Sequence, residues 1–271
     1  MGIKNLAFCV ADIPTAKPTL INNNHHHPSN PPPMHVKTWQ RISLLRQPNE
    51  ANPSPQAPNP EPENEPYAPS SLSATALSLV KSTLLPHKPS TILIERQRFR
   101  SANAAAVQEW TLRVNLLEGM IWAVLRTMGY GERGEVGVGL ESVSPARVAG
   151  FWVQGNGKGK VEKRDKIGVV AGWLEGDFGV RFEAEAERVK MAFLEKLRGV
   201  GRVRGGVKTV GYGVAGAVEA TEEGVGKLDD LADCLLQVAA WVKWRDNKRV
   251  LAGMLDDEKA VVEFVQRCET G

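Results

Sequence analysis

Three cysteines in 271 residues, Cys9, Cys234 and Cys268, are too few and too far apart for a disulfide framework or a thiolate metal site. Their odd number suits a reducing interior. No apolar run is long enough to span a bilayer, which needs about 20 residues, so a membrane role is not expected. Glycines are plentiful at 26, yet the Gly-x-x-x-x-Gly-Lys-Ser/Thr pattern of a nucleotide-binding loop is missing. A strong charge excess is missing too. The net charge of +3 does not argue for nucleic acid by itself, so the distribution of charge has to carry that reading. The length allows one large or two ordinary domains, and 42% apolar residues are enough for a core.

Charge is clustered. Acidic residues collect in a Pro/Asn-rich insert and in 175–187, whereas Arg96 to Arg100, Lys158 to Lys166 and Arg198 to Lys208 are basic. Within Thr91-Ile-Leu-Ile-Glu-Arg-Gln-Arg-Phe-Arg100, a short apolar run without polar alternation predicts a strand covered on both faces, the α/β arrangement. Glu95 ends that strand, where ligands collect in such sheets. Its carboxylate can hold a cation beside the guanidinium groups of Arg96, Arg98 and Arg100, which can hold phosphate. Alone, Glu95 beside Arg96 reads better as a surface residue in a salt-bridged loop, so the case depends on partner carboxylates elsewhere. Partner carboxylates lie in Lys227-Leu-Asp-Asp-Leu-Ala-Asp233, where Asp229 and Asp233 are four apart and Asp230 and Asp233 three apart. Either spacing stacks two carboxylates on one helical face, which costs a plain helix a few tenths of a kcal/mol and which a divalent cation reverses. Spacing does not separate Asp229 from Asp230 as the ligand. A helix cap explains one Asp and leaves Asp233 unexplained.

These two stretches, with Gly2-Ile-Lys-Asn-Leu-Ala-Phe-Cys-Val-Ala-Asp12, resemble the fungal mitochondrial cruciform-cutting endonucleases, Holliday junction resolvases related to bacterial RuvC. The resemblance covers residues 1–12 and 72–269, with the three motifs in the family's order. It implies an RNase H-like fold: a mixed five-stranded sheet flanked by helices, with acidic residues of the first and fourth strands and of a late helix gathering divalent metal. It also implies a mitochondrial location, which no Arg-rich leader in these residues displays. In the family the opening strand carries a ligand Asp two places before the Gly matching Gly2, which here would be residue zero. The chain is therefore expected to be an N-terminally truncated product or a mis-started gene model, with its first strand missing or nearly so. Asp12 is no substitute, since it lies about 20 Å along the next strand from that turn.

The expected layout is one RNase H-like domain from 1–12, 36–45 and 71–269, with 13–35 and 46–70 a disordered low-complexity insert. His25, His26 and His27 in that insert lack a rigid frame to orient them as ligands. Leu6 to Val10 forms the second strand, Val36 to Leu45 the third and edge strand, and Val136 to Val143 the fifth. Helices are expected over Ser71 to Leu85, stopped by Pro86 and Pro89, over Ala104 to Met128, from Ser144 to Trp152, from Phe182 to Leu197, from Lys227 through Trp241, and from Leu251 to Cys268. Glu109, Arg113 and Glu118 on the second of these read as a solvated or salt-bridged face.

The resemblance implies Glu95, Asp229 and Asp233 as catalytic residues, with Asp230 an alternative metal ligand. Hard oxygen donors select Mg²⁺ or Mn²⁺, and two such ions about 4 Å apart activate water and stabilise the leaving 3′ oxygen, giving 5′-phosphate products. Expected DNA contacts are Lys4, Asn5, Arg96, Arg98, Arg100, Lys163, Arg164, Lys166, Arg204, Lys208 and Lys227, a phosphate-binding set. The partner implied is a four-way junction nicked symmetrically by a homodimer. Two alternatives stand beside this: a junction-binding pseudoenzyme lacking the first-strand Asp, and another RNase H-like nuclease acting on RNA–DNA hybrids.

Overall fold

Short β-branched runs become strands and longer runs with apolar residues every three or four positions become helices. In the structure, a computed structural model, the described residues are 6–14, 30–44, 66–97, 108–131, 138–153, 161–176, 178–202, 227–255 and 257–270. They form two compact units, Met1–Ala7 with Ile42–Pro145 and Phe8–Arg41 with Ala146–Gly271.

The first unit contains α1 (Pro69–Ser78), continued by one wide turn over Leu79–Leu84 and one tight turn over Leu85–His87, then β3 (Thr91–Glu95), α2 (Glu109–Thr127) and β4 (Gly139–Val143). Pro69 at the start of α1 needs no N–H partner there, and Lys88 leaves the last turn in the left-handed region at φ 49°. β3 and β4 pair in parallel from Thr91 opposite Gly139 to Glu95 opposite Val143. Ile92 and Ile94 point into a core with Leu72, Val80, Leu117 and Leu125, while Leu93 is only half-buried, so one face of β3 is better covered than the other.

The second unit holds most of β1 (Leu6–Asp12), β2 (Met34–Ile42), α3 (Pro145–Trp152), α4 (Lys163–Glu175), β5 (Val180–Phe182), α5 (Ala184–Arg202), α6 (Leu228–Ala252) and α7 (Glu258–Thr270). Its sheet runs β1-β2-β5, with Met34–Val36 parallel to Val180–Phe182. Trp39 of β2 is fully buried against Phe193 at 5.4 Å between ring centroids, and its indole Nε1 donates to the carbonyl of Leu231 at 2.9 Å. A second indole repeats the device five residues further along α6, where Trp152 Nε1 donates to the carbonyl of Leu236 at 2.9 Å. Trp152 itself packs edge-on against Trp173 of α4. No helix among the described residues is long and apolar enough to cross a membrane.

The mixed α/β class holds, and several expectations change. The described strands lie in two sheets, of three and two strands, rather than in one five-stranded sheet. β2 is central in its sheet rather than an edge, because β5 covers its far side. That strand is only three residues long and is followed at once by a helix, so the helical pattern absorbed Phe182. The helix beginning at Leu228 runs on to Ala252, since its basic stretch 243–249 contains no breaker before Gly253. Residues 34 and 35 belong to β2 and 69 and 70 to α1, which trims the expected insert. Its remaining length falls mostly outside the described residues.

Trp39→Phe removes the indole donor and part of a filled core while keeping the ring. It is expected to lower unfolding free energy by about 1–3 kcal/mol in urea denaturation. An unchanged transition midpoint contradicts the pinning of α6 through Leu231.

Candidate metal and nucleic-acid site

The first two turns of α6 present Asp229, Asp230 and Asp233, with Asp229 and Asp230 in the first turn, where the helix dipole favours negative charge. Each faces a different cation. Lys163 of α4 donates to Asp229, and Lys166, one turn further along α4, reaches both oxygens of Asp233 at 2.5 and 2.6 Å. Arg41 from the end of β2 lies 3.8 Å from Asp230. The two lysine pairs ascend together, so α4 and α6 start side by side and run in the same direction at this contact. Period-two alternation puts Trp39 and Arg41 on one face of β2, and both reach the first turn of α6.

Electrostatics separate the two candidates that spacing left equal. Burial by itself would raise the carboxyl of Asp229, but the hydrogen bond and charge of Lys163, helped by Lys166, overcome it and hold the group below its usual range. The same hydrogen bond raises Lys163 above the ordinary lysine value. Asp230 goes the other way, raised by burial and then by the charge of Asp229, against the weaker pull of Lys227 and Arg41. Asp229 is thus firmly ionised beside an ammonium, whereas Asp230 is a half-buried carboxylate with incompletely balanced charge.

Glu95 sits in the other unit, half-buried at the tip of β3. The backbone beyond it is fixed on two sides: Arg96 N–H donates to the Val143 carbonyl at 2.8 Å, and Gln97 N–H donates to the Glu118 carboxylate of α2 at 2.9 Å. The Gln97 side chain turns back to the Glu95 carbonyl at 3.0 Å. Glu118 therefore anchors the exit of the strand rather than decorating a solvated face. Glu109 and Arg113 do form the expected exposed ion pair, with Arg113 also stacked 4.2 Å over Tyr67.

Among the expected DNA contacts, Arg96 and Lys227 are exposed, and Arg164 projects from α4 while pairing with Glu162 at 2.9 Å. Glu162 and Asp165 form a reciprocal capping box that starts α4 at this point. Lys163 and Lys166 are committed to the aspartates. Lys4, Asn5, Arg98, Arg100, Arg204 and Lys208 lie outside the described residues. Asp12 pairs with Lys37 at 2.7 Å. Cys9 and Cys234 are free thiols, and desolvation raises both, Cys9 to about 12, so neither is a thiolate at neutral pH.

Among the described residues no three His, Cys, Asp or Glu side chains are drawn together as a ready cation cage. The donor chemistry nonetheless fits a hard divalent cation. Three carboxylates fall within five residues of one helix: Asp229 and Asp233 are paired with lysines, and Asp230, 3.8 Å from Arg41, is raised first by burial and then by the charge of Asp229.

The opposed shifts have a measurable consequence in metal-free buffer. A carboxyl whose folded-state affinity for protons is raised favours the fold fully below the unfolded value, near pH 3.9, and loses that contribution as pH rises. Asp230→Asn is therefore expected to raise the thermal midpoint at pH 7, with the gain vanishing below about pH 4. Asp229→Asn is expected to lower the midpoint at pH 7, because a depressed carboxyl stabilises above its unfolded value. Calorimetry showing the same sign for both at pH 7 contradicts the assignment.

The family model described as "Mitochondrial resolvase Ydc2 / RNA splicing MRS1" matches residues 1–251. The mitochondrial cruciform cutting endonuclease 1 of Schizosaccharomyces pombe is 28% identical over 189 residues, which is 67% of this chain and 60% of that protein. The match thus spans less than two thirds of that relative's length. No solved structure matches the chain. Both matches are mitochondrial, and so is this protein. With its matched region running through the strand of Glu95 and the helix of the three aspartates, the chain belongs to the mitochondrial resolvase Ydc2 / RNA splicing MRS1 family.

Proposed function

We propose that the protein is a Mg²⁺-dependent endodeoxyribonuclease that resolves four-way DNA junctions by symmetric nicking as a homodimer in mitochondrial DNA recombination. The observation that carries this reading is the aspartate cluster on the first two turns of α6, in a chain whose family and relative are named for resolvase and cruciform-cutting activity. Asp229 and Asp233, with Asp230 as the alternative, would be ligands of Mg²⁺ or Mn²⁺ on α6, and Glu95 is a candidate ligand on β3. The bound ions supply Lewis acidity toward water and the scissile phosphodiester. Asp229 keeps its charge at neutral pH because Lys163 depresses its proton affinity, so its oxygens are available as ligands without a deprotonation step. Glu118 and Val143 hold the backbone after Glu95, which limits how far that carboxylate can wander. Arg96, Lys227 and Arg164 offer exposed positive charge for the phosphate backbone.

A second reading, junction binding without cleavage, is favoured by one specific feature. Lys163 and Lys166 already neutralise the carboxylates that a metal would use.

The two readings part in one assay. A synthetic four-way junction is incubated with the full chain, and retardation in EDTA and nicking in Mg²⁺ are scored on the same samples. Paired symmetric nicks in Mg²⁺, lost in Glu95→Gln while retardation in EDTA persists, support the nuclease. Retardation with no nicking at any Mg²⁺ or Mn²⁺ concentration supports the binding protein. Nicking undiminished in Glu95→Gln overturns the role of Glu95, and digestion of an RNA–DNA hybrid without junction preference overturns the substrate.

A further inference from the structure

Lys163 and Lys166 combine two properties that pull in opposite directions. They occupy the start of α4 in a basic segment suited to phosphate, yet both ammonium groups are spent on Asp229 and Asp233, residues 66 and 67 positions away in sequence. Exposure shows what each pair protects. The side chain of Lys163 is 74% exposed and lies over an Asp229 that is only 16% exposed, so the lysine shields the carboxylate from water. In the other pair the side chain of Lys166 is itself withdrawn, 17% exposed, against 34% for Asp233. A lysine so withdrawn is tolerated because its partner carboxylate is ionised, and its four-carbon stem can swing the charge outward once that partner is taken.

We propose that Lys163 and Lys166 form a metal-released clamp: without a divalent cation they close on Asp229 and Asp233, and metal binding frees them to grip DNA phosphates. The proposal rests on the reading of those aspartates as metal ligands. A divalent cation at the same distance attracts a carboxylate twice as strongly as an ammonium does, and then repels the ammonium it displaces. One event therefore fills the site and adds two cations to the DNA-binding surface. Because coupling between two ligands is reciprocal, DNA that holds the lysines away also strengthens metal binding. The protein would engage a junction loosely without metal and tightly once charged with it.

Salt dependence of binding reads the number of lysines on phosphates directly, since each contributes about 0.9 to the slope of log K against log salt. Full-length protein is titrated with a fluorescent four-way junction at several KCl concentrations, in EDTA and in Ca²⁺, with gels confirming that the DNA stays intact. The slope for the wild type is expected to be steeper in Ca²⁺ than in EDTA by about 1.8, relative to the same comparison for Lys163→Gln/Lys166→Gln, which reports the effect of Ca²⁺ on the DNA alone. Asp229→Asn/Asp233→Asn frees the lysines without metal and is expected to show the steep slope already in EDTA, even if the lysine variant fails to fold. Equal slope changes in wild type and lysine variant, or an Asp variant with an unchanged slope, overturn the clamp. Mn²⁺ binding without DNA, followed by the loss of its free electron paramagnetic resonance signal, separates the two levels. Wild type that takes up no Mn²⁺ sinks the metal-ligand reading itself. Uptake that tightens by about fivefold or more in the lysine variant supports the clamp, and unchanged uptake overturns it.

Discussion

Three carboxylates crowded into five residues of one helix must be balanced by positive charge, and that requirement organises the second unit. Lys163, Lys166 and Arg41 reach them from two different elements, α4 and β2. The balance works only if α6 is held in register with both: the Trp39 indole ties it to β2, and the Trp152 indole ties it to α3, which packs against Trp173 of α4. Trp39 takes the Leu231 carbonyl and Trp152 the Leu236 carbonyl, each at 2.9 Å, five residues apart on the same helix. Packing and charge thus share one construction: the apolar side of α6 fixes where its acidic end meets the lysines.

In the other unit the constraint is different. Glu95 is placed by a parallel strand pair and by a carboxylate, Glu118, that accepts a backbone N–H just beyond the strand end. A chain leaving a strand tip would otherwise be free to move. Here the first two residues after Glu95 are both hydrogen-bonded through their backbone N–H groups, which fixes the main chain at the tip that carries the candidate carboxylate.

Much of this was legible from local pattern. The apolar run before Glu95 gives a strand because Ile92 and Ile94 need a core, and the four-residue interval of Asp229 and Asp233 puts both on α6. The helix expected from Ser71 to Leu85 is regular only as far as Ser78; a wide turn over Leu79–Leu84 and a tight turn over Leu85–His87, with Pro86 inside it, carry the winding to its end. What pattern did not show is contact across long separations. Nothing near Lys163 announces Asp229, 66 residues on, so lysines that read as phosphate contacts turned out to be ion-paired. Arg41 was missed although its place two residues after a buried Trp was a usable signal, because a single arginine in a strand looks like a solvent-facing residue. Glu118 was read as surface for the same reason. β5 escaped because three residues carry too little periodicity to stand out from the helix that follows, and the division into two sheets follows from pairings that no local window contains.

The central claim is that a divalent cation binds at the first two turns of α6. Iron-mediated cleavage tests it most directly: Fe²⁺ substituted for Mg²⁺ in the full chain, with hydrogen peroxide as oxidant and ascorbate to re-reduce Fe³⁺, generates hydroxyl radicals that cut the backbone near the bound ion. The account predicts backbone cuts clustered between Lys227 and Cys234, suppressed by excess Mg²⁺ and lost in Asp233→Asn. Cuts confined to other segments, or cuts at α6 that excess Mg²⁺ does not suppress, contradict it.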